Sequence, residues 1–115
     1  MNSPQLSNYL FPNRQRLALS QDEMAFLLGI QDGATVCRYE AFDRNPSLET
    51  ALAYEAICRR SLSELFPGLY QKIEQHVAAR AKTLLDRTRS RKSTPRAARK
   101  HETLTGLAGL LLKQI

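Results

Sequence analysis

Apolar residues recur along this chain at spacings of three and four, and nowhere does a run of four to eight residues alternate strictly between apolar and polar. The pattern predicts an all-α protein with no strand. Tyr9, Leu10, Leu17 and Leu19 supply core positions for a first helix, with Asn8 the expected N-cap and Pro12 at the edge of the first turn. Were that start displaced, the helix would open at Pro12. Ser20 and Glu23 make an S-x-x-E capping box, in which the hydroxyl accepts the Glu23 backbone N–H and the carboxylate returns to that of Ser20. A second helix therefore starts at this point, with Met24, Ala25 and Leu28 facing inward and Gly29 free to take the positive φ that ends it.

Asp32 then caps a third helix, from Gly33 to about Ala41, whose Val36 and Tyr39 lie three apart on one side and join the core. The loop FDRNP leads to Ser47, the cap of a fourth helix through Leu48, Leu52, Ile57 and Cys58. Ser61 and Glu64 repeat the capping box for a short fifth helix ending at Leu65–Phe66. From Pro67, the residues Leu69, Ile73, Val77, Ala81 and Leu84 step by four, four, four and three, which predicts one long amphipathic helix to about Arg87. Its stripe must either pack back on the bundle or pair with a second copy. Arg89–Lys100, reading RSRKSTPRAARK, has no apolar periodicity and is expected to be a mobile basic linker. His101–Ile115 is leucine-rich and capable of forming a helix, although Gly106 and Gly109 weaken it.

Composition narrows the picture. With 115 residues, 43% of them hydrophobic, the chain can bury one small core but not two ordinary ones. The net charge of +6 is unevenly spread: Met1–Ala79 carries 7 basic against 9 acidic residues, whereas Arg80–Ile115 carries 10 against 2. All of the excess thus sits at the C-terminal end, where it suits nucleic acid, another anionic surface, or a solvated tail. Cys37 and Cys58 lack the paired spacing of a zinc site and read as reduced thiols. No stretch approaches the roughly 20 apolar residues of a membrane span, and MNSPQLSN has no secretory pattern. A cytoplasmic protein without membrane contact is expected.

The side of the third helix opposite Val36 and Tyr39 carries Ala34, Cys37, Arg38 and Ala41, with Gly33 and Thr35 at its edges. Short side chains let a helix backbone sink into a DNA groove, Arg can fork to guanine or phosphate, and Thr can meet a thymine methyl. Arg44, just beyond the helix, is in reach of phosphate. An exposed face without function would have the same composition, so the neighbouring motifs have to decide.

Four of them, in order, resemble the lambda-repressor-like, XRE-type (Cro/CI-type) helix-turn-helix domain of bacterial and phage transcription regulators. They are LSQDEMAFLLGI for the second helix, VCRYE for the end of the third, R-x-PSLET opening the fourth, and SLSELF for the fifth, together spanning Arg14–Phe66. The resemblance implies a five-helix DNA-binding domain over residues 1–66. The amphipathic helix of 67–88 would follow as a dimerisation element, then the basic linker 89–100 and the leucine-rich segment 101–115.

Carried over by position, the resemblance puts Gln21 at the phosphate backbone, where the start of the second helix favours an anion. It makes Gly33, Ala34, Thr35, Cys37 and Arg38 base or backbone contacts. It also pairs Arg14 with Glu40 across the first and third helices, in an ion pair that fixes the third helix and holds Arg14 near phosphate. Several positions depart from the family. The turn reading QDGAT is one residue longer, and Ala18 and Arg59–Arg60 replace frequent glycine-containing positions, so those two helix ends are expected to close differently. Phe26 and Leu27 are apolar where polar residues are common, which points to an added contact surface, such as one for the Pro67–Arg87 helix.

The expected function is sequence-specific binding of double-stranded DNA by a homodimeric transcription regulator, with the basic C-terminal end adding salt-sensitive, non-specific affinity. The alternative is a protein-interaction module, antitoxin-like or adaptor-like, in which the leucine-rich end docks on a partner. An enzyme is not expected: His76 and His101 are far apart, and there is no Gly-rich phosphate loop or H-E-x-x-H run. No cofactor, metal or small-molecule ligand is implied.

Overall fold

The computed structural model describes residues 7–88 and 94–110, and these form seven α-helices with no strand among them. In chain order they are α1 (Leu10–Arg16), α2 (Gln21–Leu28), α3 (Gly33–Glu40), α4 (Leu48–Cys58), α5 (Leu62–Leu65), α6 (Pro67–Arg87) and α7 (Pro95–Ala108). The chain divides into two compact units, Met1–Tyr70 and Gln71–Ile115.

In the first unit, each of α2 to α5 begins at the capping residue its sequence calls for. Ser20, Asp32, Ser47 and Ser61 accept the backbone N–H of Glu23, Thr35, Thr50 and Glu64 respectively, and the boxes at Ser20 and Ser61 are both reciprocal. At α1 the cap is displaced by one residue. Tyr9 is the N-cap, while the Asn8 side chain accepts the Leu10 N–H at 3.1 Å and donates to the Tyr39 carbonyl at 3.0 Å. Asn8 thus joins the start of α1 to α3, which explains why this polar residue is buried.

Three helices end through left-handed residues in the paired hydrogen-bond pattern of a Schellman motif. After α1, Leu19 N–H reaches Arg14 C=O and Ala18 N–H reaches Gln15 C=O; after α2, Ile30 reaches Ala25 and Gly29 reaches Phe26; after α3, Asp43 reaches Arg38 and Phe42 reaches Tyr39. Among the described residues, Gly29 is the one left-handed glycine; Ala18, Phe42 and Arg59 adopt φ of 60°, 65° and 56°. The expectation that the ends at Ala18 and Arg59 would close differently is therefore corrected. They close in the glycine-type conformation without glycine, at a strain on the order of 1 kcal/mol each.

The core of this unit is Leu10, Met24, Ala25, Val36, Tyr39, Tyr54, Cys58, Leu65 and Phe66, with Leu17, Leu19, Leu28, Ile30 and Ile57 packed at its margin. Tyr39 and Tyr54 meet edge to face, their ring centroids 6.3 Å apart, in the arrangement the ring quadrupoles favour. Every inward residue expected of the second and third helices is partly or fully buried. Phe26 and Leu27 are not covered: they are 83% and 51% exposed.

The two C-terminal helices depart from expectation in two ways. On α6 the buried positions are Ala78 and Ala81, while Leu69, Ile73, Val77 and Leu84 remain exposed. Of the expected stripe only Ala81 is buried, together with its neighbour Ala78, so the small residues and not the large ones pack within the chain. Further on, residues 95–100, assigned by their pattern to a mobile linker, are the first turns of α7. Thr94 accepts the Ala97 N–H, and Pro95 occupies the first turn, where its missing N–H has no helical partner to lose. Gly106 lies inside α7 and Leu104 is its buried residue. The remainder of the linker, 89–93, and the terminal residues 111–115 lie outside the described residues.

Candidate nucleic-acid interface

α2 and α3 are eight residues each and are joined by the turn from Gly29 to Asp32. Two contacts jam their N-terminal ends together. The Asp22 carboxylate accepts the Gly33 backbone N–H at 3.0 Å, and a Cβ on residue 33 would collide with that carboxylate and sit 3.0 Å from the Asp22 backbone nitrogen. Gly33 is accordingly buried. Expected at the edge of the outward face, it is a packing residue, and the absence of its side chain allows α3 to start against α2.

Glu40 fixes the other end of α3. Its carboxylate receives both Nε and Nη2 of Arg14, the latter at 3.0 Å, and the Gln21 amide at 3.2 Å, so one side chain ties α1, α2 and α3 together. Arg14 Nη1 donates to the Leu19 carbonyl at 2.9 Å, and the guanidinium lies 5.3 Å from the centre of the Phe11 ring. The hydrogen-bonded Glu40 carboxylate raises the Arg14 pKa further, against the opposing effect of burial. Removing one partner from so enclosed a pair costs about 3 kcal/mol, because the other is left without compensation.

The ion pair is where the sequence places it, but it changes the roles of two candidates. Arg14 has all three nitrogens engaged inside the protein and retains only 12% side-chain exposure, which makes it a brace for α3 rather than an outstretched cation. Gln21, the first residue of α2, is half-buried and directs its amide nitrogen to Glu40.

With its back held by Val36 and Tyr39 and its ends held by Asp22 and Glu40, α3 turns Ala34, Cys37, Arg38 and Ala41 to solvent, all exposed. Thr35 is half-buried, its hydroxyl 3.4 Å from Asp32 Oδ1. Arg38, in the last turn, and Arg44, in the following loop, are exposed, and their side chains make no hydrogen bond or ion pair among the described residues. Asp32 caps α3 and Gly33 is its first residue, which places Ala34 and Thr35 on the first turn.

Beside this face lies a feature that periodicity did not single out. Phe11, Pro12, Cys37, Ala41 and Phe42 line an open hollow of about 340 Å³ with an almost wholly apolar wall. Phe11 and Phe42 are 45% and 50% exposed. Phe42 falls in a stretch that reads as a polar loop, so only its size and apolarity signalled it.

No family model, curated protein or solved structure matches the chain. The functional reading therefore rests on the sequence motifs and on this geometry. Among the described residues no three His, Cys, Asp or Glu side chains gather as a metal site, and no helix is long and apolar enough to cross a membrane. Both cysteines are free, Cys37 exposed and Cys58 buried; burial pushes the Cys58 thiol pKa up and keeps it an inert core residue.

Proposed function

We propose that Arg14–Phe66 is a lambda-repressor-like helix-turn-helix domain and that the protein is a sequence-specific, double-stranded DNA-binding transcription regulator. The reading is carried by one observation: α3 is braced along its inner side while its outer side offers only small residues and the unpaired Arg38. A helix entering a major groove needs both properties, because the backbone must come close and the side chain that reads a base must be held in register. Ala34, Thr35, Cys37 and Arg38 form the reading edge. Arg44 and the start of α2 at Gln21 supply the phosphate contacts that set its position, with Arg14 acting through Glu40.

Homodimerisation is part of the proposal. Symmetric DNA sites are read by paired domains. The exposed stripe of Leu69, Ile73, Val77 and Leu84 on α6 is an apolar face of the length such pairing uses. The basic C-terminal end adds affinity that falls with salt.

Arg38→Ala tests the reading directly. Binding of a selected duplex should weaken by at least about tenfold, the loss of one base-reading contact, while the thermal melt stays close to wild type because the exposed Arg38 side chain makes no hydrogen bond or ion pair among the described residues. Wild-type affinity in that variant would remove α3 as the reading helix. A protein-interaction module is the second reading, favoured by the exposure of Phe26 and Leu27. It predicts that no duplex is preferred and that substitutions on α2, not α3, abolish partner binding.

A further inference from the structure

We infer that the hollow between α1 and the end of α3 receives the sugar edge of one DNA strand, with Phe42 and Phe11 as its apolar walls, and that Phe42 tolerates a strained backbone in order to stand there. The inference rests on the DNA-binding reading and adds a contact which that reading does not contain.

Three independent observations meet at this spot. First, Phe42 occupies the left-handed position of the α3 Schellman motif, with φ of 65°, where glycine would be free of strain and a bulky side chain is disfavoured. The ring gains little from the core in return, since it is half exposed. A large aromatic residue kept in a strained, exposed position marks a contact surface more readily than a packing need. Second, each polar side chain that borders the hollow is engaged within the protein. Asn8 is bonded to Leu10 and Tyr39, the Gln21 amide nitrogen to Glu40, and Glu40 to Arg14. With its polar rim engaged and its wall apolar, the hollow is suited to C–H surface rather than to a charged or strongly hydrogen-bonding group.

Third, Cys37 and Ala41 belong both to the hollow and to the outward face of α3, so whatever lies along that face continues into the hollow. On DNA, the surface next to the groove edge is the backbone, and its apolar part is deoxyribose. The unpaired Arg38 and Arg44, on either side of Phe42 in sequence, supply the cations that bring the flanking phosphates close.

Phe42→Gly separates this role from folding, because glycine suits the left-handed backbone; Phe42→Asn, also tolerant of that conformation, serves as a second variant. Both should melt within a few degrees of wild type. Their Kd for the selected duplex should rise about five- to tenfold, the effect of losing the burial of half a phenyl ring. Because no charge is removed and every nucleotide carries the sugar, the dependence of Kd on salt should keep its slope, and a non-specific duplex should lose affinity by the same factor.

A ribonucleotide placed at each position of one strand in turn locates the contact. The added 2′-hydroxyl should weaken wild-type binding at one site per half-site and have no such effect on Phe42→Gly. Equal affinities of wild type and both variants, or identical ribonucleotide profiles, would overturn the inference while leaving α3 as the reading helix. A loss of self-association in the variants with DNA affinity intact would overturn it in favour of a second protein copy in the hollow. If wild type prefers no duplex at all, the DNA reading and this contact fall together.

Discussion

The Tyr54 hydroxyl is fully buried and has no hydrogen-bond partner among the described residues, and desolvation drives its pKa upward. An unsatisfied buried hydroxyl costs about 1–3 kcal/mol, whereas the ring around it packs edge to face on Tyr39. Tyr54→Phe keeps the ring and removes the penalty. It is expected to raise stability by about 1 kcal/mol in urea or thermal unfolding; a loss of similar size would mean that the hydroxyl is bonded through a buried water. Single residues were legible from sequence where their partner is local or belongs to a motif. Ser20, Glu23, Asp32 and Ser47 cap as expected, and Arg14 meets Glu40. They were not legible where the partner is set by close approach of two helices. Gly33 reads as part of an outward face and is buried against Asp22, because the crossing of α2 and α3 leaves no room for a Cβ.

At the scale of the element, helix ends carry the sequence signal. The two capping boxes start α2 and α5, and hydrogen bonds from the Ser20 and Ser61 backbones and side chains hold the Glu23 and Glu64 carboxyls below their ordinary pKa. A carboxylate whose folded pKa is depressed stabilises the protein above its unfolded pKa, ~4.3 for a free glutamate, and that contribution is lost as pH falls through the folded value. Glu23→Gln/Glu64→Gln keeps the box geometry without a titrating group. Its deficit in Tm relative to wild type, measured at pH 6, should shrink steadily as the pH is lowered below ~4; a constant deficit would show that the charge plays no part.

The same local signals explain what was missed in the second unit. Thr94 and Pro95 form a helix start hidden inside a run of basic residues, where the lack of apolar periodicity dominated the reading. On α6 the four-and-three stepping picks out Ala81 along with the larger stripe residues but passes over Ala78, and small size is what permits both alanines to be buried. Periodicity ranks residues by apolarity, and close packing also selects for smallness.

Across the whole chain, charge divides unevenly between the units. Met1–Tyr70 carries 6 basic against 8 acidic residues and Gln71–Ile115 carries 11 against 3. The proposed reading edge thus belongs to a slightly acidic unit in which Arg38 and Arg44 stand out against the local charge, and on the proposed function general attraction to phosphate falls to the basic second unit. This division predicts that preference for a base sequence comes from the first unit and depends little on salt, while overall affinity depends on it strongly.

On the proposed function, α3 reads base pairs. Selection of bound duplexes from a random pool by the full-length protein at moderate salt tests it most directly, with the Arg38→Ala chain selected in parallel. The expected outcome is a defined motif with two-fold symmetry, its half-sites separated by about one helical turn, and a loss of preference at one position of each half-site in the variant. Recovery of duplexes without any common sequence, or of the same motif undiminished by Arg38→Ala, would contradict it.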